Sequence, residues 1–184
     1  MTEPGSGAPV PPGASPPGTG PEPGSPELAG FADALGAWPG AVTLLTIADG
    51  RDDIGTTVSA FCPVSVSPPL ILVSLIAGSY PAEVLGRAGM FAVTMLAATQ
   101  RALAGRFAAA GRPGARLLLE AVPHRRGPLS RALIPDGGLA AFECEVAARI
   151  PAGDHLLLTA QVRAVAYLAE AGEPLIRFRN SYLR

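Results

Sequence analysis

Residues 41–47 read Ala-Val-Thr-Leu-Leu-Thr-Ile, and Asp49-Gly50 follows them. Then comes Ile54-Gly-Thr-Thr-Val-Ser-Ala-Phe61 and, after a Ser/Pro-rich stretch, Leu70-Ile-Leu-Val-Ser-Leu-Ile76. The first two runs are dense in β-branched residues and flank a turn signal, the pattern of a hairpin. The third is nearly continuous apolar, which predicts a strand buried on both faces. Working outward, Glu27 to Leu35 predicts a short first helix ending at Gly36. Ser79 followed by Pro81 predicts a capped helix to about Arg87, since serine caps well and proline is tolerated in a first turn. Phe91–Leu96 reads as another strand, and Thr99 as the cap of a helix to Ala110, with Leu103 and Phe107 stacked at i, i+4. Strands return at Leu139–Ile150 and His155–Ala166, with a last one near Leu175–Phe178. The strands are grouped and do not alternate with the helices. The expectation is therefore a mainly β fold with short helices, a closed and mostly antiparallel barrel.

The 184 residues are 48% hydrophobic and 16% charged, enough for one domain with a sizeable core. Residues 1–26 hold nine prolines and six glycines, with Met1 and Val10 as their only sizeable apolar side chains. Such a segment cannot offset its ordering entropy, so residues 1–27 are expected to be a disordered tail and 28–184 the folded domain. A formal net charge of −1 gives no footprint for nucleic acid or for a polybasic membrane contact. The longest apolar run, Pro68 to Gly78, is about half of a ~20-residue membrane span. No basic stretch leads into an apolar one at the N-terminus, so a cytoplasmic protein is expected.

All fourteen cations are arginine. Without lysine, a P-loop and a Schiff-base pyridoxal enzyme are both excluded. Two cysteines, Cys62 and Cys144, and two histidines, His124 and His155, argue against a disulfide scaffold and a multi-histidine metal site, and no metal is expected. There is no G-x-S-x-G. The acidic pairs Asp52/Asp53, in the hairpin turn, and Glu143/Glu145, on one strand face, read as solvated surface. With so little acid, base or nucleophile chemistry of its own, the protein needs a cofactor to bring the reactivity.

Three stretches stand out. Gly55 to Phe61 is rich in hydroxyls, which could donate to phosphate or ribityl oxygens. Val64-Ser-Val-Ser-Pro-Pro69 reads as a loop whose small side chains admit a planar heterocycle close to the backbone. Ala152-Gly-Asp-His155 is a turn that places an imidazole at the start of a strand. Together with Ala41–Thr46, Phe91-Ala-Val93, Gln100, Leu103, Phe107, Cys144-Glu-Val146 and Pro174-Leu175…Tyr182, they resemble the flavin reductase family, over about Phe31 to Tyr182. The Gly-Asp-His turn paired with the Ser-x-Ser-Pro-Pro loop is the most specific part of the likeness.

The resemblance implies an FMN-binding split β-barrel, antiparallel and Greek-key-like. It also implies an NAD(P)H:flavin oxidoreductase that passes a hydride from nicotinamide to FMN or FAD. Such a protein would be a homodimer that supplies reduced flavin to a separate flavin-dependent monooxygenase. On this likeness Thr57, Ser59 and Ala60 contact the ribityl-phosphate side, and Ser65 and Val66 present backbone to the ring. Ser79 caps a helix whose N-terminus seats the phosphate, Arg87 or Arg106 meets the remaining charge, and His155 lines the nicotinamide side as the catalytic candidate. Gly40-Ala41, Pro81, Thr94 and Ala160-Gln161 stand where the family favours other residues, so FMN or FAD, and NADH or NADPH, stay open. A flavin-binding barrel with a different redox task, or a non-enzymatic carrier, is the alternative.

Overall fold

The computed structural model describes residues 26–50 and 53–183. Most of the expected 1–27 tail therefore lies outside the described residues. The chain divides into two compact units between Leu35 and Gly36, and the barrel belongs to the second. The short helix α1 (Phe31–Gly36) precedes strands β1 (Gly40–Ala41), β2 (Thr43–Ile47), β3 (Ile54–Val58), β4 (Phe61–Ser65) and β5 (Leu70–Ile76). Helix α2 (Tyr80–Ala88), strand β6 (Met90–Met95) and helices α3 (Arg101–Ala108) and α4 (Ala115–Leu118) come next. Strands β7 (His124–Arg126), β8 (Leu133–Pro135), β9 (Ala140–Ala152), β10 (His155–Leu168), β11 (Ile176–Phe178) and β12 (Ser181–Tyr182) complete the order. No described helix is long and apolar enough to cross a membrane.

Seven strands form one antiparallel sheet in the order β3-β2-β6-β9-β10-β5-β4. Its two edges, β3 and β4, are consecutive in the chain with only Ser59 and Ala60 between them, so the sheet has to curl until its ends meet. The Ser74 amide donates to the Ala60 carbonyl at 3.0 Å beside that seam. Among the described residues no ladder joins β3 to β4, so the barrel is split there, as the family resemblance implies, and not closed as the strand pattern alone suggests. Leu45, Ile47, Val73, Phe91, Val93 and Leu158 fill its interior, and Val84 and Leu85 of α2 join the same cluster. Val42 and Leu44 alternate to the other face of the sheet, under Leu103, Ala104 and Phe107 of α3 and Leu118 of α4. Gly55 is required at that contact, because a Cβ on it would sit 2.3 Å from Cε1 of Phe107.

Several expectations change on this frame. The strand buried on both faces is β2, not β5: every residue of β2 is buried, whereas in β5 only Ile71, Val73 and Leu75 are. Helices α3 and α4 cover the outside of β2, while Leu70, Leu72 and Ile76 of β5 have no such cover from the described chain. Val64 and Ser65 belong to strand β4, which starts at Phe61, and not to a loop, since β5 offers that strand a free edge to pair with. Thr99 does not cap α3. A 3-10 turn at Ala98–Gln100 intervenes, and the Gln100 side-chain oxygen accepts from the Ala97 amide at 3.1 Å. Ser79 does occupy the cap position of α2, yet its side chain makes no capping hydrogen bond.

Glu143 is also no surface acid. It is fully buried, and its Oε2 accepts from the amides of Leu129 and Ser130 and from the Ser130 hydroxyl, at 3.0, 2.7 and 2.7 Å. The 127–132 loop folds back over β9 to make these bonds, a contact that strand periodicity cannot foretell. Glu145, its supposed partner, stays about half exposed near Arg163.

Candidate functional site

At the seam of the barrel lies a cavity of about 420 Å³. Thr56 to Ala60 form one wall, Ser74 to Ile76 of β5 the opposite one, and Ser79 and Pro81 at the start of α2 the floor, with Arg112, Arg177 and His155 at its margin. The antiparallel curl brings these together: the two strands sit at nearly opposite ends of the sheet order, and closing the barrel makes them neighbours. Five side-chain hydroxyls, those of Thr56, Thr57, Ser59, Ser74 and Ser79, share the cavity with two guanidinium groups and an imidazole. No carboxylate is among the described residues that line it. Helix α2 begins there, so its N-terminal partial charge adds to the positive field.

Of the residues singled out in the sequence, Thr57, Ser59, Ala60, Ser79 and His155 meet in this cavity. Ser65 and Val66 do not line it; they lie at the β4–β5 turn, where Val66 is 94% exposed. Arg87 and Arg106 do not line it either. Both are exposed in the last turns of α2 and α3, and α2 opens onto the cavity with its other end. The cations at the cavity are Arg112 and Arg177, which local sequence patterns leave in an irregular stretch and a short last strand. The signal available for Arg112 is its setting, Gly111-Arg-Pro-Gly114, a turn that presents one charge on short-sided neighbours.

Arg112 is held in place. Its Nε donates to the Gly55 carbonyl at 2.9 Å and Nη1 to the Ala109 carbonyl at 3.3 Å, and burial pushes its pKa below the ordinary value. The loop that carries it is tied to Asp53, whose carbonyl accepts from the Ala115 amide at 2.9 Å. Asp53 is only 1% exposed, which overturns its reading as solvated surface; Asp52 lies outside the described residues. Its carboxylate accepts from Arg126 at 2.6 Å, Arg116 at 2.9 Å and the Asp49 amide at 3.2 Å. Burial alone would raise this carboxyl. The bonds from Arg126 and Arg116, the Asp49 amide and the Arg126 charge outweigh it and hold the pKa below the usual range. The two arginines come from α4 and β7, so the long-range fold supplies what the sequence spacing does not reveal.

His155 opens β10 and faces Ile76 in register. Its Nδ1 lies 2.7 Å from Oδ1 of Asp154. Adjacent residues on a strand point to opposite faces, so strand periodicity offers no reason to expect this pair. It forms because Asp154 belongs to the turn, with Gly153 at φ 61°. The hydrogen bond and charge of His155 keep the exposed Asp154 carboxyl below its ordinary pKa. With Nδ1 donating to that carboxylate, a neutral ring keeps Nε2 as its acceptor.

Chemically, the cavity is suited to a phosphorylated, hydroxyl-rich ligand with a flat apolar part. Val58, Leu75 and Ile76 provide apolar wall and the cations provide charge.

Residues 35–184 match the family model described as flavin reductase like domain. The chain is 35% identical over 163 residues to the NADH-dependent FMN reductase AsuE2 of Streptomyces nodosus subsp. asukaensis, covering 89% of this chain and 86% of that protein. It is 32% identical over 154 residues to the reductase component of 4-hydroxyphenylacetate 3-monooxygenase from Thermus thermophilus, covering 84% and 94%. Among solved structures, the Streptomyces globisporus C-1027 NADH:FAD oxidoreductase SgcE6, in complex with NAD and FAD fragments, superposes with a TM-score of 0.79 at 26% identity. That superposition covers 89% of this chain and 96% of that one.

Proposed function

The chain belongs to the flavin reductase family and is an NAD(P)H-dependent oxidoreductase of flavins, and we propose that the cavity at the barrel seam is where it holds the flavin. The observation that carries this reading is the convergence of Arg112, Arg177 and five hydroxyls on one cavity lined by no described carboxylate. Arg112 is the phosphate partner in this reading, in place of Arg87 or Arg106, because it is the guanidinium fixed by backbone carbonyls at the margin. Thr57, Ser59 and Ser79 donate to ribityl and phosphate oxygens, and the Ala60 backbone borders the ring.

The chemistry supplied by the bound pair is transfer of a hydride from nicotinamide C4 to flavin N5. The protein's part is to stack the two rings at near contact, a positioning task worth ~7–11 kcal/mol in favourable systems. His155, oriented by Asp154, borders the nicotinamide side. NADH, named as donor for the Streptomyces nodosus relative, is the donor we assign. The Thermus relative is named as a monooxygenase component, and we assign this chain the same kind of work: delivering reduced flavin to a separate flavin-dependent monooxygenase, in the cytoplasm where NADH is regenerated. A second copy of the chain is assigned to the outer face of β5, β9 and β10, where Leu72, Ile76, Ile150 and Leu157 leave apolar surface uncovered.

The direct test is NADH oxidation with and without added FMN, which should be strongly stimulated by the flavin. Replacing Arg112 by methionine should lower the ratio of FMN to riboflavin affinity about tenfold, since a hydrogen bond to a charged group contributes ~1.5–3 kcal/mol. An unchanged ratio moves the phosphate elsewhere.

A further inference from the structure

Beside the flavin cavity lies a second one of about 310 Å³, and the two share Pro81 and Arg112 as wall residues. Arg112 is pinned at this partition by its bonds to the Gly55 and Ala109 carbonyls. A flavin phosphate that meets Arg112 from the first cavity therefore sits at the opening of the second. FMN ends at that phosphate, whereas FAD continues from it through a second phosphate to an adenosine.

Resting on the reading of the first cavity as the flavin site, we propose that the second cavity is a subsite for adenosine monophosphate. It takes the adenylate half of FAD, so that this protein binds FAD more tightly than FMN.

The lining suits that occupant. Tyr80 supplies an aromatic ring, and Ile54, Pro81 and Pro113 supply flat apolar surface, against which a purine can stack. The Tyr80 hydroxyl donates to Oδ2 of Asp49 at 3.1 Å, which fixes the ring at the rim. Asp53, the carboxylate on this wall, is buried and paired with Arg116 and Arg126, so it does not repel the second phosphate. The volume sits at the lower end of the ~300–1,000 Å³ typical of small-molecule sites, enough for one nucleoside and not for a whole dinucleotide.

The test is a flavin ladder on the full chain: dissociation constants for riboflavin, FMN and FAD, repeated with Tyr80→Ala and paired with the Michaelis constant for NADH. The expected result is FAD at least fivefold tighter than FMN, FMN tighter than riboflavin, and a FAD-to-FMN ratio that collapses toward one in Tyr80→Ala. Equal FAD and FMN affinities, both well above that of riboflavin, overturn the subsite and leave the flavin cavity standing. A FAD preference that survives Tyr80→Ala also overturns it, by placing the adenylate elsewhere. An unchanged ratio with a raised Michaelis constant for NADH overturns it in favour of the nicotinamide donor's own adenylate. If the three flavins bind alike, with no gain from a phosphate, both the subsite and the reading of the first cavity fail.

Discussion

Asp53 anchors the site without lining the cavity at the barrel seam. Its carboxylate joins the hairpin turn to Arg116 and Arg126, and its carbonyl holds the start of α4, so it positions the loop that carries Arg112. Replacement by asparagine removes the charge from two ion pairs whose arginines are partly solvated and can rehydrate. The expected loss is about 2 kcal/mol, read as a melting temperature lower by about 4–8 °C for a domain of this size. Because the folded-state pKa of Asp53 is depressed, its contribution is present above the unfolded value of ~3.9 and is lost as pH falls through the folded value. The gap between wild type and Asp53→Asn should therefore be widest near neutrality and close below about pH 4, as followed by thermal melts across pH. At His155 the expectation is kinetic. His155→Ala should cut kcat/KM for NADH about tenfold, ~1.4 kcal/mol on the transition-state scale, with the melting curve preserved because the side chain is 40% exposed. Normal NADH kinetics in a folded variant would return His155 to a turn-capping role.

Among the elements, the contact between β3 and α3 sets the wall of the cavity. Gly55 lies under the fully buried ring of Phe107, and its carbonyl also receives Arg112. Gly55→Ala should destabilise the fold by ~1–3 kcal/mol through overpacking. It should cost less in a Phe107→Leu background, and denaturant unfolding of the four proteins of that cycle measures the coupling. Additive losses would mean that the ring is free to shift. The same contact explains why the hydroxyl-rich strand is legible in the sequence and the neighbouring helix cap is not. Strand β3 follows from local β-propensity, whereas the start of α3 is decided by Gln100, which caps the turn and donates to the Asp136 carbonyl across the fold at 2.8 Å.

Across the molecule as a whole, the outer face of β5, β9 and β10 is an uncompensated apolar surface. Ile76 is 62% and Ile150 48% exposed, while Leu70, Leu72 and Leu157 are half-buried and share the same face. Sedimentation equilibrium should return twice the 18.7 kDa chain mass. Leu72→Arg, a charge placed in the middle of that face, should shift the protein toward monomer. A monomeric wild type would leave the face to another partner.

Features that depend on neighbours in the chain were legible in the order of amino acids. The β-branched and apolar runs specified strands that the structure places at 43–47, 54–58, 70–76 and 90–95, and the Thr57/Ser59 strand, Ser79 and the Gly-Asp-His turn marked part of the cavity. The motif resemblance identified the family, because those short patterns are carried by local chemistry. Long-range packing set the rest. Which strand is buried twice depends on where α3 and α4 land. Asp53 and Glu143 are buried because segments distant in sequence return to solvate them. The arginines at the cavity are Arg112 and Arg177, not Arg87 and Arg106, because a charge in an all-arginine sequence carries no address until the barrel curls and brings one loop to its seam.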